Sequence, residues 1–231
     1  MDDLTRWDLV NLLLSERPSP AVYLEIGVHT GNNLRRIRAD TRFAVDPFIR
    51  SRRLRYLSRL SPARVRVGLR HGLLPFSLTS DDFFARYRRL LEHVPIDVAF
   101  VDGLHTADQA HWDIVNALEH LEPGGTVVVH DCNPQSAPAA EPTRGSDQGV
   151  WNGDVFKAII RLRAERSDLR VTVLDTDHGL GIVRFGVPDS RVELGWEHIR
   201  TMSYEDFAAD RVHLLNLRPA EAVTDYVDGP I

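Results

Sequence analysis

Two apolar runs joined by one amphipathic helix, IDVAFV at 96–101 and TVVV at 126–129, constrain this chain's fold more than any other feature. Strands that are apolar on both faces must be covered on both faces, which is the situation of a parallel sheet between layers of helix. Between the runs the periodicity turns helical. Ala107, Ala110, Ile114, Leu118 and Leu121 form one stripe, Thr106 with Gln109 three residues on reads as a capping box, and Pro123-Gly124-Gly125 ends the segment. A strand, helix and strand of this length form a crossover unit of an open α/β sheet.

The rest of the chain extends the pattern. Residues 4–14 (LTRWDLVNLLL) read as a leading helix ended by Pro18 and Pro20. Strands are expected at Val22 onward, Arg42–Phe48, Arg64–Leu69, Arg170–Leu174 and Gly181–Phe185. Helices are expected near 50–60, near 80–92 behind a capping Ser80, and near 152–166 with Asn152 or Asp154 as its cap. The short connection DTDHGL at 175–180 makes the last two strands an antiparallel pair, and its Asp175, Asp177 and His178 read as turn residues. The expected fold is α/β: a Rossmann-like, mostly parallel seven-stranded sheet with helices on both faces and a closing antiparallel hairpin. One domain spans 1–231, divided into a leading helix (1–20), a core (21–186) and a C-terminal appendage (187–231).

Ligands of such sheets bind outside the carboxyl ends of the strands. The first strand ends in LEIGVHTG, carrying Glu25, Gly27, His29 and Gly31, and a helix is expected to follow and aim free N–H groups at an anionic group. The spacing is E-x-G-x-x-x-G, not the G-x-G-x-x-G of dinucleotide sites. About 20 residues on, Asp46 ends the second strand, where a carboxylate can accept from both hydroxyls of a ribose. The fourth strand delivers Asp102, Gly103 and His105, the fifth His130, Asp131 and Cys132. All of these converge on one cleft.

Composition excludes more than it selects. A net charge of −5 and a pI near 6.0 give no whole-chain reason to expect nucleic acid. The single cysteine, Cys132, forms no internal disulfide and reads as a buried or cleft-lining thiol. No leader or membrane-length apolar run is present, which points to the cytoplasm. Arginine recurs twelve times from Arg35 to Arg70 against two acids, Asp40 and Asp46, and makes a local basic surface. The stretch Asn133–Gly149 lacks periodicity and is long for an internal connection, the mark of a mobile or functional loop, and Trp151 just beyond it is placed to cover a substrate.

Taken together, LEIGVHTG, FAVDPF, DVAFVDGLH and LEPGGTVVVHD resemble class I S-adenosylmethionine-dependent methyltransferases over roughly Val22 to Phe185. The branch they resemble most is the bacterial one whose O-methyltransferases act on sugars and natural products. The resemblance implies S-adenosylmethionine as cofactor, with Gly27 and Gly31 bordering its methionine part, Glu25 beneath it and Asp46 on its ribose. His29 and Asp102 join the cofactor contacts, and the segment around Gly68–His71 approaches the adenine. The acceptor implied is a small molecule methylated on a hydroxyl oxygen, with neither nucleic acid nor membrane as partner and with room for a homodimer.

In that chemistry the protein aligns a nucleophile and removes its proton. His105, whose free pKa of about 6.5 suits proton transfer at neutral pH, is the candidate general base, with Asp102 beside it. Asp102, His130 and Asp131 form a candidate site for Mg²⁺ or another divalent cation, although His130-Asp131-Cys132-Asn133 departs from the acidic or Asp-Asn pair of metal-dependent relatives. Without a metal, Asp102 orients His105 or the cofactor amine and Asp131 contacts the acceptor. Two other readings stay open: an NAD-dependent oxidoreductase on a similar sheet, and a non-catalytic cofactor-binding subunit.

Overall fold

The structure, a computed structural model, describes residues 4–66, 72–146 and 149–224. In chain order the elements are α1 (Arg6–Ser15), β1 (Val22–Ile26), β2 (Thr41–Val45), α2 (Arg52–Ser58), α3 (Ser61–Arg66), β3 (Gly72–Phe76), α4 (Ser80–Leu91), β4 (Ile96–Val101) and α5 (Ala107–Leu118). They continue with β5 (Leu121–Val129), α6 (Val155–Glu165), β6 (Leu169–Leu174), β7 (Leu180–Phe185), α7 (Trp196–Thr201), α8 (Tyr204–Leu215) and β8 (Leu217–Arg218). One sheet holds all eight strands in the order β3-β2-β1-β4-β5-β7-β6-β8. The pairs from β3 through β5 are parallel, β7 runs antiparallel between β5 and β6, and β8 pairs in parallel with β6.

The two-sided burial read from the apolar runs is what the sheet shows. Tyr23, Ala44, Phe100 and Val128 pack with Leu9 and Leu13 of α1 on one face. Leu24, Phe43, Ala99 and Val127 alternate with them and pack on Phe83 of α4, Ile114 of α5 and Ile159 of α6 on the other. No helix among the described residues is long and apolar enough to cross a membrane.

Several expectations are corrected. The sheet has an eighth strand, β8, inside the C-terminal appendage. The third strand is Gly72–Phe76; Arg64 to Arg66 belong to α3, and the remainder of the expected strand, with Gly68–His71, lies outside the described residues. Pro75 sits within β3 because β3 is an edge strand, so its missing N–H breaks no ladder on the open side. No α-helix follows β1. His29 and Gly31 take left-handed φ values of 48° and 77°, and residues 29–36 form turns closed by Gly31 N–H to Val28 O and Arg36 N–H to Asn33 O. The anion site expected at a helix N-terminus is therefore absent there.

Two caps differ as well. Thr79, not Ser80, caps α4 by accepting the Asp82 N–H. Thr106 precedes α5 without a side-chain hydrogen bond, and Gln109 instead donates to Asp113 at 3.0 Å, so no capping box forms. The strand through the TVVV run begins earlier than expected, at Leu121, and passes through Pro123-Gly124-Gly125 with a register shift against β4; Leu121 thus belongs to β5 and not to the α5 stripe.

Candidate active site

The carboxyl ends of β2, β1, β4 and β5 open side by side on a cavity of about 810 Å³. Asp46, Phe48, Gly27 and His29 line it from β2 and β1, and Asp102, His105, His130 and Asp131 from β4 and β5. Gly27 has φ +89°, and a Cβ there would stand 1.8 Å from the Asp102 carbonyl oxygen. Only glycine lets β1 turn this close to the end of β4.

The Asp46 carboxylate braces the wall it belongs to. Oδ2 accepts the His29 N–H and Oδ1 the Phe48 N–H, each at 2.6 Å. Each oxygen keeps a second lone pair, so a bound hydroxyl can still be accepted. Glu25 and Gly31 do not line the cavity. Glu25 is buried behind β1, where it accepts from Tyr23 Oη at 2.7 Å and Asn33 Nδ2 at 3.0 Å, and burial pushes its carboxyl up to about 8. A Cβ on Gly31 would meet Leu54. Both residues hold the 29–36 turns in place and stand away from the cleft.

The other half of the cavity is a network of charge. His130, 4% exposed, lies 2.9 Å from Asp131 Oδ2 and 3.4 Å from Asp102 Oδ1 through Nδ1, and 3.5 Å from Asp177 Oδ1 through Nε2. Burial alone would lower its pKa, but the charge and hydrogen bonding of Asp102, with bonds to Asp131 and Asp177, hold it well above the usual value. His105 Nε2 is 3.3 Å from Asp102 Oδ1. Its burial is likewise outweighed, by the Asp102 hydrogen bond and by the charges of Asp131 and Asp102, so its pKa is raised. Burial favours the neutral form of Asp102, and His130 and His105 more than reverse that, holding it well below the carboxylate range. Asp131 adopts a left-handed φ of 62° and takes the Asn152 amide on Oδ1 at 2.8 Å.

His105 Nδ1 is buried with no hydrogen-bond partner; it lies 3.3 Å from Asp131 Oδ2 without the geometry of a bond. The indole of Trp151 stacks on the imidazole with centroids 4.7 Å apart and planes 12° apart. The turn behind that ring grips the same residue. Gly153, at φ +68°, would place a Cβ 1.8 Å from the His105 carbonyl oxygen, and Asp154 donates its N–H to that oxygen at 3.3 Å.

Sequence reading did not assign Arg6, Asp177, His178 or Asn152 to this site. Arg6, the first residue of α1, is held by Asp177 through Nε at 2.9 Å and Nη2 at 2.7 Å, and its Nη1 reaches within 3.5 Å of Asp102. Asp177 and His178, expected as turn residues only, both carry left-handed φ values, 42° and 66°, and His178 lines the cavity. Non-glycine residues held in that region concentrate at functional sites, and Asp131, Asp177 and His178 meet here. Cys132 is buried, as expected, and burial raises its thiol pKa.

The cation trio read from the sequence needs revision. Asp102 and Asp131 of that trio belong to a group whose donor atoms close on one another, and His130 is not part of it. Asp102, His105 and Asp131 are the group whose donor atoms lie within 4.8 Å of one another. Two carboxylates and one imidazole suit Mg²⁺, Mn²⁺ or a later divalent ion.

Comparison with known proteins now bears on the geometry. Residues 24–132 match the family model described as a methyltransferase domain. The match covers 109 of the 231 residues. That stretch runs from within β1 through the end of β5 and stops at the residue after Asp131. Among solved structures, the O-methyltransferase TomG from Streptomyces achromogenes, in complex with SAM, is similar over 77% of this chain and 78% of that one, at 19% identity and a TM-score of 0.51. A protein from Corynebacterium glutamicum is similar over 78% of this chain and 80% of that one, at 15% identity and a TM-score of 0.49. The likeness to TomG is one of fold. A search of the curated proteins finds no significant match.

Proposed function

We propose that this chain is a methyltransferase that moves a methyl group from S-adenosylmethionine to a hydroxyl oxygen of a small acceptor, with His105 as general base. The observation that carries the reading is the state of His105. Nε2 faces Asp102, and Nδ1 is buried without a hydrogen-bond partner, 3.3 Å from Asp131 Oδ2, in a residue that lines the cavity. A hydrogen bond from Nε2–H to a carboxylate fixes the tautomer that leaves Nδ1 free to take a proton.

The cavity suits the cofactor in volume and in its walls. Pockets of a few hundred to about 1,000 Å³ accommodate ligands of this size. Gly27 keeps side-chain atoms out of the β1 turn, and Asp46 offers ribose its remaining lone pairs. Bound there, S-adenosylmethionine supplies a sulfonium methyl group ready for displacement. The protein's own part is positional. Asp102 and Trp151 hold the imidazole, Asp131 and His178 line the acceptor end, and Nδ1 takes the hydroxyl proton as the oxygen bonds to carbon. Against the effect of burial, the Asp102 hydrogen bond and the charges of Asp131 and Asp102 raise the basicity of His105.

The 4.8 Å cluster supports a second reading, in which Asp102, His105 and Asp131 hold a divalent cation. Such an ion would lower the pKa of an acceptor hydroxyl, and His105 would then be a ligand and not the base. A methyl-transfer screen over pooled sugars, phenols and amines, run with and without EDTA, divides the readings. Full turnover in EDTA supports His105 as base; loss restored by Mg²⁺ supports the cation. A rise in melting temperature with NAD(H) but not with S-adenosylmethionine would favour the oxidoreductase reading instead. The acceptor class agrees with a chain that offers a cavity and no membrane-length helix among its described residues; a cytoplasmic location and a homodimer belong to the same proposal.

A further inference from the structure

We propose that the exposed face of α2 is a binding site for a small molecule bearing a diphosphate. Leu54 and Ser58 are the buried side of this helix, while Arg52, Arg53, Arg55, Tyr56 and Arg59 are exposed. Four of these, Arg52, Arg55, Tyr56 and Arg59, wall a groove of about 300 Å³ outside the main cavity. The positions i, i+3, i+4 and i+7 lie on one helix face, with neighbours about 5–6 Å apart at Cβ.

Among the described residues, none of the groove arginines meets a carboxylate. Four arginines on other helices do meet one. Arg86 pairs with Asp82, Arg88 with Glu92, Arg161 with Glu165 and Arg200 with Glu197, each within one helical turn. A chain with 33 acids and 28 basic residues has carboxylates to spare. Near α2 the two acids are committed elsewhere: Asp40 accepts the Ala21 N–H at 2.8 Å, and Asp46 the His29 and Phe48 N–H groups. Like charges at i, i+3 and i, i+4, as in Arg52 with Arg55 and Arg55 with Arg59, oppose the helix. An anion in the groove would reverse that opposition.

The chemistry of the walls selects the anion. One phosphate is satisfied by one or two guanidinium forks, whereas three forks spread along about two turns match charge divided over two adjacent phosphorus centres. Tyr56, 64% exposed, adds a ring face on which a planar group can lie. The groove is the size of a small ligand and not of a protein epitope. Its position adds context: Phe48, which lines the main cavity, precedes Arg52 by four residues, at most about 14 Å of chain.

Calorimetric titration of the full chain with inorganic pyrophosphate and with orthophosphate tests this at about 150 mM ionic strength, where charges more than about 8 Å apart are screened. Pyrophosphate should bind with one-to-one stoichiometry and about tenfold more tightly than orthophosphate, and R55Q/R59Q should weaken it at least about tenfold without lowering the melting temperature. R53Q, outside the groove, should leave binding unchanged. The proposal is overturned if pyrophosphate shows no saturable binding up to about 10 mM, or if R53Q weakens it as much as the groove variant does. It is equally overturned if single-stranded RNA binds far more tightly than pyrophosphate and is lost in R55Q/R59Q, since the face would then be a polynucleotide surface.

Discussion

Asp154 caps a helix to which it does not belong: its Oδ1 accepts the backbone N–H of Ala107 at 2.7 Å, across 47 residues of sequence, and so closes the start of α5 next to His105. Asp154 also precedes Val155 as the N-cap residue of α6, where its side chain makes no capping bond. The carboxylate is spent on the neighbouring helix. Asp154→Ala should therefore cost about 1 kcal/mol of stability, the usual worth of a cap, read from urea denaturation. Methyl transfer should fall more than that loss explains, because the same turn fixes the His105 carbonyl; unchanged turnover would separate the cap from the site.

Gly27→Ala should be far more damaging. Its Cβ would come 1.8 Å from the Asp102 carbonyl oxygen at a φ of +89°, and the atom it meets is backbone. The ends of β1 and β4 must separate, so the variant should lose several kcal/mol or fail to fold, as circular dichroism and thermal melting would show.

Glu25 predicts a pH dependence of stability. Its carboxyl is raised from 4.5 to about 8, so the folded chain keeps a proton that the unfolded chain releases above pH 4.5. The unfolded state binds fewer protons between those values, and stability falls as pH rises from 4.5 toward 8. By pH 7 the loss amounts to about 3 kcal/mol at 1.36 kcal/mol per pH unit. Glu25→Gln keeps a neutral group beside Tyr23 and Asn33, and its unfolding free energy should decline less over that range. Parallel curves for the two proteins would contradict the assignment.

Trp151 should matter through the ring it covers. Its stacking on His105 at 4.7 Å is worth about 0.5–1.5 kcal/mol, so Trp151→Ala should lower kcat/KM by about three- to tenfold. Trp151→Phe should recover most of it, with S-adenosylmethionine binding unchanged in both.

What the sequence disclosed follows from where the signals are local. IDVAFV and TVVV show two-sided burial in their own composition, so β4 and β5, and the acids at their ends, can be placed without tertiary information. GLLPF does not announce a strand, because Pro75 is tolerated only at a sheet edge, and the alternation in RVRV competes with it. The absence of a helix after β1 depends on left-handed His29 and Gly31. Arg6 and Asp177 are the clearest case. They meet across 171 residues, one at a helix start and one in a turn whose DTDHG sequence is fully explained by turn chemistry. Nothing near either residue tells of the other, and nothing near Asn152 tells of Asp131.

The most direct test of the account is single-turnover methyl transfer by the wild-type chain and by His105→Gln, with S-adenosylmethionine affinity measured on both. The account predicts transfer to a hydroxylated acceptor by the wild type, a loss of at least about 100-fold in the variant, within the range of general-base catalysis, and an unchanged cofactor Kd. Transfer by His105→Gln at the wild-type rate would contradict it.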